Sequence, residues 1–360
     1  MLGNTFGNVL TLTTYGESHG IAIGGVLEGL PAGIIIDIEK IQQEVNKRKP
    51  GQSSITTSRK EEDIVHLLSG IFNGHTTGMP IAFMVYNQDH QSKDYDTIKD
   101  IYRPSHADYT YQQKYGIRDH KGGGRSSARE TVSRVIAGAI TMQWLHTTGI
   151  EIHSYVSQVG HIQLHTAPEV LDFSVIESNA IRCPDTAIAS KMIEYIQQIK
   201  AEGDTIGGIV STYITGVPTG LGEPVFQKLN AALAAAMLSI NAAKGFDIGI
   251  GMEGLEKKGS QWNDAFYIKD EQIHTHTNNS GGIQGGISNG EPIYFRTAFK
   301  AVSTIFQPQT TITTQSQEVE YTPQGRHDPC VLPRAVPIVK AMAALVIADF
   351  YLLQKTQNKS

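Results

Sequence analysis

The chain repeats itself, and that restricts its fold more than any single motif. Gly16-Glu17-Ser18-His19-Gly20 is matched by Gly203-Asp204-Thr205-Ile206-Gly207, and at the same offset Gly29-Leu30-Pro31-Ala32-Gly33 falls on Gly216-Val217-Pro218-Thr219-Gly220. Further along, Gly70-Ile71, Gly74, Gly78, Pro80-Ile81 and Phe83 correspond to Gly282-Ile283, Gly286, Gly290, Pro292-Ile293 and Phe295. Gly124-Arg125 and Gly325-Arg326 then each precede a long apolar segment. A single glycine match would mean little in a chain with 36 glycines, but several in the same order imply two copies of one α+β unit. The expected copies span about 1–150 and 200–360, joined by a more irregular segment, within a single domain over 1–360.

Each copy carries short strands between Gly/Pro turns, for example 81–85 and 293–296. A helix over 38–47 stops at Lys49-Pro50-Gly51. The segments 128–147, 226–240 and 335–354 have apolar residues at spacings of three and four. The last two are apolar on more than one face, which places them centrally, with a sheet on either side.

Glycines shared by both copies belong to backbone geometry, so chemistry is sought where the copies differ. His19 stands opposite Ile206, and Arg326-His327-Asp328 opposite Arg125-Ser126-Ser127. His19 lies in a tight turn of small residues, where a histidine can reach a ligand and exchange a proton near neutrality. His106 sits in the polar run Arg103-Pro104-Ser105-His106-Ala107-Asp108. The run 122–131 combines three glycines, two serines and two arginines. Ser127 and Glu130 have capping-box spacing, which predicts a helix start with free N–H groups for a phosphate, clamped by Arg125 and Arg129. No Lys-Ser/Thr follows the glycines, so this is not a Walker A loop. Lys47-Arg48-Lys49 and Ser58-Arg59-Lys60 offer further cations. Asn241-Ala242-Ala243-Lys244-Gly245 closes a helix, and Lys300-Ala301-Val302-Ser303-Thr304 joins a cation to hydroxyls, as a phosphate or an isoalloxazine edge would require.

The formal net charge of −5 supplies no field for nucleic acid, and basic residues are not interleaved with aromatics. Cys183 and Cys330 lack metal-ligand spacing and read as reduced thiols, so no metal is expected. The N-terminus lacks the basic and apolar regions of a signal peptide, and no stretch reads as the roughly 20 apolar residues of a membrane span. The expectation is a cytoplasmic protein without a membrane or nucleic-acid partner. No H-E-x-x-H, C-x-x-C, hydrolase triad order or Rossmann fingerprint is present.

Taken together these motifs resemble the chorismate synthase family over essentially the whole chain. The resemblance rests on 16–20, Arg103-Pro104 with 106–108, 122–131, 239–242, Gly281-Gly282-Ile283 with 285–288, and 325–329. It implies a lyase that removes phosphate and a ring proton from 5-enolpyruvylshikimate 3-phosphate by anti-1,4 elimination. Reduced FMN would be required without net redox change. It also implies a homotetramer with helices sandwiched between antiparallel sheets. By motif, His19 would protonate the departing phosphate, His106 would stabilise the reduced flavin, and Asp328 would help flavin N5 accept the ring proton. Arg48, Arg103, Arg129 and Ser127 would hold the substrate. Arg125, Ser126, Ser127, Asn241, Ala242, Gly285, Lys300, Ala301, Val302, Ser303, Thr304 and Arg326 would line the flavin site. Ser54 stands where the family often has arginine, and Ala301 where proline is common. Lacking the insertions of self-reducing members, the chain is expected to depend on an external flavin reductase. The alternatives are an NAD(P)H-dependent flavin oxidoreductase and a non-enzymatic anion-binding module.

Overall fold

The computed structural model describes residues 3–52, 55, 62–87, 99–120, 123–323 and 327–357. Two five-stranded antiparallel sheets enclose a layer of helices. The first sheet contains β1 (Thr5–Phe6), β2 (Thr11–Tyr15), β3 (Ala22–Glu28), β4 (His66–Leu67) and β5 (Ile81–Tyr86), in the order β1-β2-β3-β5-β4. The second contains β6 (Glu151–Val159), β7 (Ile162–Gln163), β8 (Gly208–Thr215), β9 (Ala243–Ile248) and β10 (Ile293–Phe299), in the order β7-β6-β8-β10-β9.

The principal helices are α1 (Ile38–Arg48), α2 (Asp108–Tyr115), α3 (Thr131–Thr147), α4 (Thr186–Ala201), α5 (Leu229–Leu238) and α6 (Leu332–Gln357). α3 packs on the first sheet, α6 on the second, and the two pack on each other. Helices sealed on both sides need apolar residues all round, and α6 buries nearly every side chain from Leu332 to Phe350.

The duplication extends to strand register. The path β2-β3-α1-β4-β5-α3 recurs as β6-β8-α5-β9-β10-α6. Leu27 pairs with Ile81 in the first sheet, and the equivalent Ile214 pairs with Ile293 in the second. Gly29 and Gly216 hold the same corner. A Cβ on either would stand 2.1 or 2.0 Å from a carbonyl oxygen, of Val9 and Gly149 respectively. Both have positive φ, so glycine is required there by space and by conformation.

Several boundaries differ from expectation. The second set of elements begins at β6, inside the segment expected to be irregular, and α4 is inserted between β6 and β8. β6 alternates too little to announce itself, because six of its nine residues are buried, on both faces of the strand. α6 corrects the reading that no segment could span a membrane. Its length and mean hydropathy of 1.9 suffice, but 83% of that apolar window is buried between the sheets. Arg334, Pro337, Lys340 and Asp349 interrupt its apolar run and hid its length.

Candidate active site

The run 123–131 does not form the simple helix start that its spacing predicts. Gly124–Ser126 and Ala128–Glu130 are two successive 3-10 turns, and α3 begins only at Thr131. Ser127 Oγ accepts from Arg129 N at 3.4 Å, while the Glu130 carboxylate turns forward to Arg134 at 3.0 Å. The N–H groups of Ser126, Ser127, Glu130 and Thr131 are spent on carbonyls within the run. An anion here is therefore met by side-chain cations rather than by a free helix N-terminus.

The His19 turn docks on this platform. Ser18 N donates to Gly124 O at 3.3 Å, and Gly20 N closes the turn onto Glu17 O at 3.1 Å. Ser18 Oγ lies 3.1 Å from His19 Nδ1, which orients the imidazole. Arg125 braces the same corner, donating to Gly16 O at 3.2 Å, Asn4 Oδ1 at 3.0 Å and Thr14 Oγ1 at 2.7 Å.

His106 approaches from the other side. A Cβ on Gly123 would be 3.5 Å from its Cε1. His106 Nδ1 lies 3.0 Å from Arg103 Nη2 and 3.1 Å from Asp108 Oδ1, so its ring is fixed by an arginine–carboxylate pair. Arg103 grips Asp108 through Nε at 2.7 Å and Nη2 at 2.8 Å, and Arg118 adds a contact at 3.2 Å. Burial pushes the Asp108 carboxyl up, but the bonds from Arg103 and His106 outweigh it and hold it well below the usual carboxylate range.

Arg129 and Arg48 converge on one buried carboxylate. Arg129 Nη1 donates to Asp63 Oδ1 at 2.6 Å, and Arg48 Nη1 lies 3.8 Å from Asp63 Oδ2. Arg334 links this group to Asp328: its Nη1 donates to Asp328 Oδ2 at 2.5 Å and its Nε to Arg48 O at 3.0 Å.

The second half of the chain joins at Asn241, whose Nδ2 donates to Ser126 O at 3.1 Å. Next to it Ala242, at φ 66°, accepts from Lys300 N at 3.0 Å. That bond brings 300–304 to the 241–244 turn. Burial first, and then the like charge of Lys244, holds the Lys300 ammonium below its usual pKa, so an anion beside it would be favoured. Between the halves lies a cavity of about 450 Å³, lined by Asn4, Thr14, Arg125, Ser126, Arg134 and Asn241 among others.

Comparison with known proteins bears directly on this arrangement. The chorismate synthase family model matches residues 10–352. A chorismate synthase of Bacteroides thetaiotaomicron is 57% identical over 353 residues, covering 98% of this chain and 99% of the relative. That of Christiangramia forsetii is 58% identical over 360 residues, 100% of this chain and 99% of its own. The chain belongs to the chorismate synthase family. A crystal structure of a chorismate synthase superposes with a TM-score of 0.78 at 30% identity, covering 97% of this chain and 93% of that one. Membership of the chorismate synthase family makes the chain an enzyme, a lyase of the shikimate pathway.

Within this chorismate synthase fold, His19, His106, Arg125, Ser126, Ser127, Arg129, Asn241, Ala242 and Lys300 are joined by the contacts above. Val302 is held in the same strap, its carbonyl accepting from Thr205 Oγ1 at 2.6 Å, with Ala301, Ser303 and Thr304 partly exposed around it. Gly285 lies elsewhere, beside Lys228 and Asn230 at the opposite end of α5 from Asn241. Arg326 lies outside the described residues, as do Ser54, Arg59 and Lys60. Asp63, Asp108 and Arg334, which hold the site, and Asn87, which accepts from Arg129 Nε at 3.0 Å, are not among the expected site residues. Asp108 follows His106 by two positions and Arg334 follows Asp328 by six, spacings that carry no meaning until the turns are seen.

Proposed function

We propose that the chain converts 5-enolpyruvylshikimate 3-phosphate to chorismate and phosphate by anti-1,4 elimination, with reduced FMN bound in the seam between its halves. The observation that carries this reading is the seam itself. One connected set of contacts links the two histidines, several arginines and Lys300 to a seam whose cavity of about 450 Å³ is lined by Arg125, Ser126, Arg134 and Asn241. A substrate with a phosphate and two carboxylates needs such cations, and a phosphate leaving group needs an acid within reach.

The residues present fit the flavin. Asn241 Oδ1 is buried without a hydrogen-bond partner among the described residues, an acceptor awaiting an N–H donor, and Lys300 and Arg125 offer charge to a phosphate. Arg125, Ser126, Ser127, Asn241, Ala242, Lys300–Thr304 and Arg326 are the proposed flavin contacts, without Gly285, which lies at the far end of α5; bound there, the reduced flavin would supply transient electron density to the substrate. The cations of Arg48, Arg103 and Arg129, beside Ser127, are proposed to hold phosphate and carboxylates. Arg103 would do so while already pinned to Asp108. His19 delivers its proton to the departing phosphate oxygen. His106, oriented at Nδ1 by Arg103 and Asp108, is proposed to stabilise the reduced flavin. Asp328, held at Oδ2 by Arg334, serves the proton-removing side.

We further propose a cytoplasmic homotetramer that receives reduced flavin from a separate reductase. The test is anaerobic chorismate formation with dithionite-reduced FMN, then with NADPH and oxidised FMN. Turnover is expected in the first mixture only. Turnover in the second would show an intrinsic NAD(P)H-dependent flavin reductase activity and overturn the dependence on an external one.

A further inference from the structure

We propose that Asn87 is the positioning residue that sets the distance between the substrate arginine Arg129 and the acid turn of His19. The proposal rests on the elimination reading above. Asn87 follows β5 directly and is held at the sheet edge by its own N–H, which donates to Ile21 O at 3.0 Å. Its side-chain amide divides its bonds between two parts of the site. Nδ2 donates to Glu17 O at 3.1 Å and to Gly20 O at 2.8 Å, spanning the two ends of the turn that carries His19. Oδ1 accepts from Arg129 Nε at 3.0 Å.

The far side of Arg129 is equally fixed, because Nη1 is bonded to Asp63, whose side chain is fully buried. Arg129 is thus held between a carboxylate and an amide, and the amide passes that constraint to the acid turn. Only a primary amide both donates twice and accepts from one short side chain. A carboxylate of the same shape would keep the bond to Arg129, lose both donations, and set negative charge against two carbonyl oxygens. Asn87→Asp therefore separates the two halves of the role, whereas Asn87→Leu removes both.

The account predicts that a loosened acid turn lowers kcat and leaves KM nearly unchanged while Arg129 stays in place. For Asn87→Asp, kcat is expected to fall about 10–100-fold, the usual effect of misplacing a catalytic group by about an ångström, with KM within about threefold of wild type. Asn87→Leu is expected to lower kcat similarly and raise KM as well. The deciding experiment repeats Asn87→Asp in a His19→Ala background, with Asn87→Ser as a second variant should the aspartate fail to fold. If Asn87 acts through His19, the substitution costs nothing further there. An undiminished loss in that background, or wild-type kcat in the Asn87 variants, would overturn the proposal. Imidazole NMR of His19, with inorganic phosphate added, supplies a readout independent of turnover. Phosphate is expected to shift the His19 resonances in wild type and much less in Asn87→Asp; equal shifts in both would contradict the proposal. A wild-type chain that formed no chorismate would instead sink the elimination reading, leaving the NMR comparison to decide the role of Asn87.

Discussion

Asn241 donates across the seam to the carbonyl of Ser126 at 3.1 Å, while its own Oδ1 is buried without a partner among the described residues. One side chain thus closes the two halves together and presents an acceptor to whatever fills the cavity. A buried acceptor left unpaired costs about 1–3 kcal/mol, which a ligand N–H recovers. Asn241→Leu is therefore expected to weaken FMN binding about 10-fold or more, read by quenching of flavin fluorescence. Unchanged affinity would remove the seam from the flavin site.

Asp108 gives the site an acid limit. Its folded carboxyl is held below its ordinary 3.8, so the unfolded chain takes up the proton first. The stability it contributes is complete above about pH 5 and drains away as the pH falls below that, by linkage. Asp108→Asn should be less stable than wild type at pH 7 in urea titrations, with the gap narrowing towards pH 3.5. A gap that widened on acidification would contradict the assignment. Turnover of the variant should also fall, because His106 loses one of its two orienting partners.

Cys183 and Cys330 are buried and unbridged, and burial pushes their thiols up to about 11 and about 12. The thiolate is the reactive form, so neither should react with a disulfide reagent at pH 8 in the folded protein. Both should react once the chain is unfolded in guanidinium. Rapid labelling of the native protein would show that the packing around these two positions opens.

The helix layer closes at Gly138 of α3, where a Cβ would stand 2.3 Å from Ala341 Cβ and 2.5 Å from its Cα. Backbone cannot yield as a flexible side chain does, so Gly138→Ala forces the two central helices apart. A loss of about 1–3 kcal/mol is expected from overpacking of this kind. Thermal and denaturant unfolding measure it. A neutral result would mean that α3 and α6 cross less closely.

The repeat, the central helices and the sheets around them were legible because spacing and shared glycines report backbone geometry, which both copies must satisfy. Leu27–Ile81 and Ile214–Ile293 keep one register for that reason. The supporting residues of the site were not legible. Asp63 and Asn87 act through tertiary contacts with Arg129, 66 and 42 residues away along the chain, and no local pattern marks them. The opening of α3 was misread because a capping-box spacing also fits a 3-10 turn whose Glu130 pairs with Arg134. β6 was missed because a strand covered on both faces loses its alternation.

The measurement closest to the central claim is anaerobic chorismate release by the wild-type chain and by His19→Ala and His106→Ala, each with substrate and chemically reduced FMN. The account predicts turnover in wild type and losses of about 100-fold or more in each variant, with folding and FMN binding retained. Wild-type turnover persisting in both variants would contradict the proton-transfer roles placed at this seam.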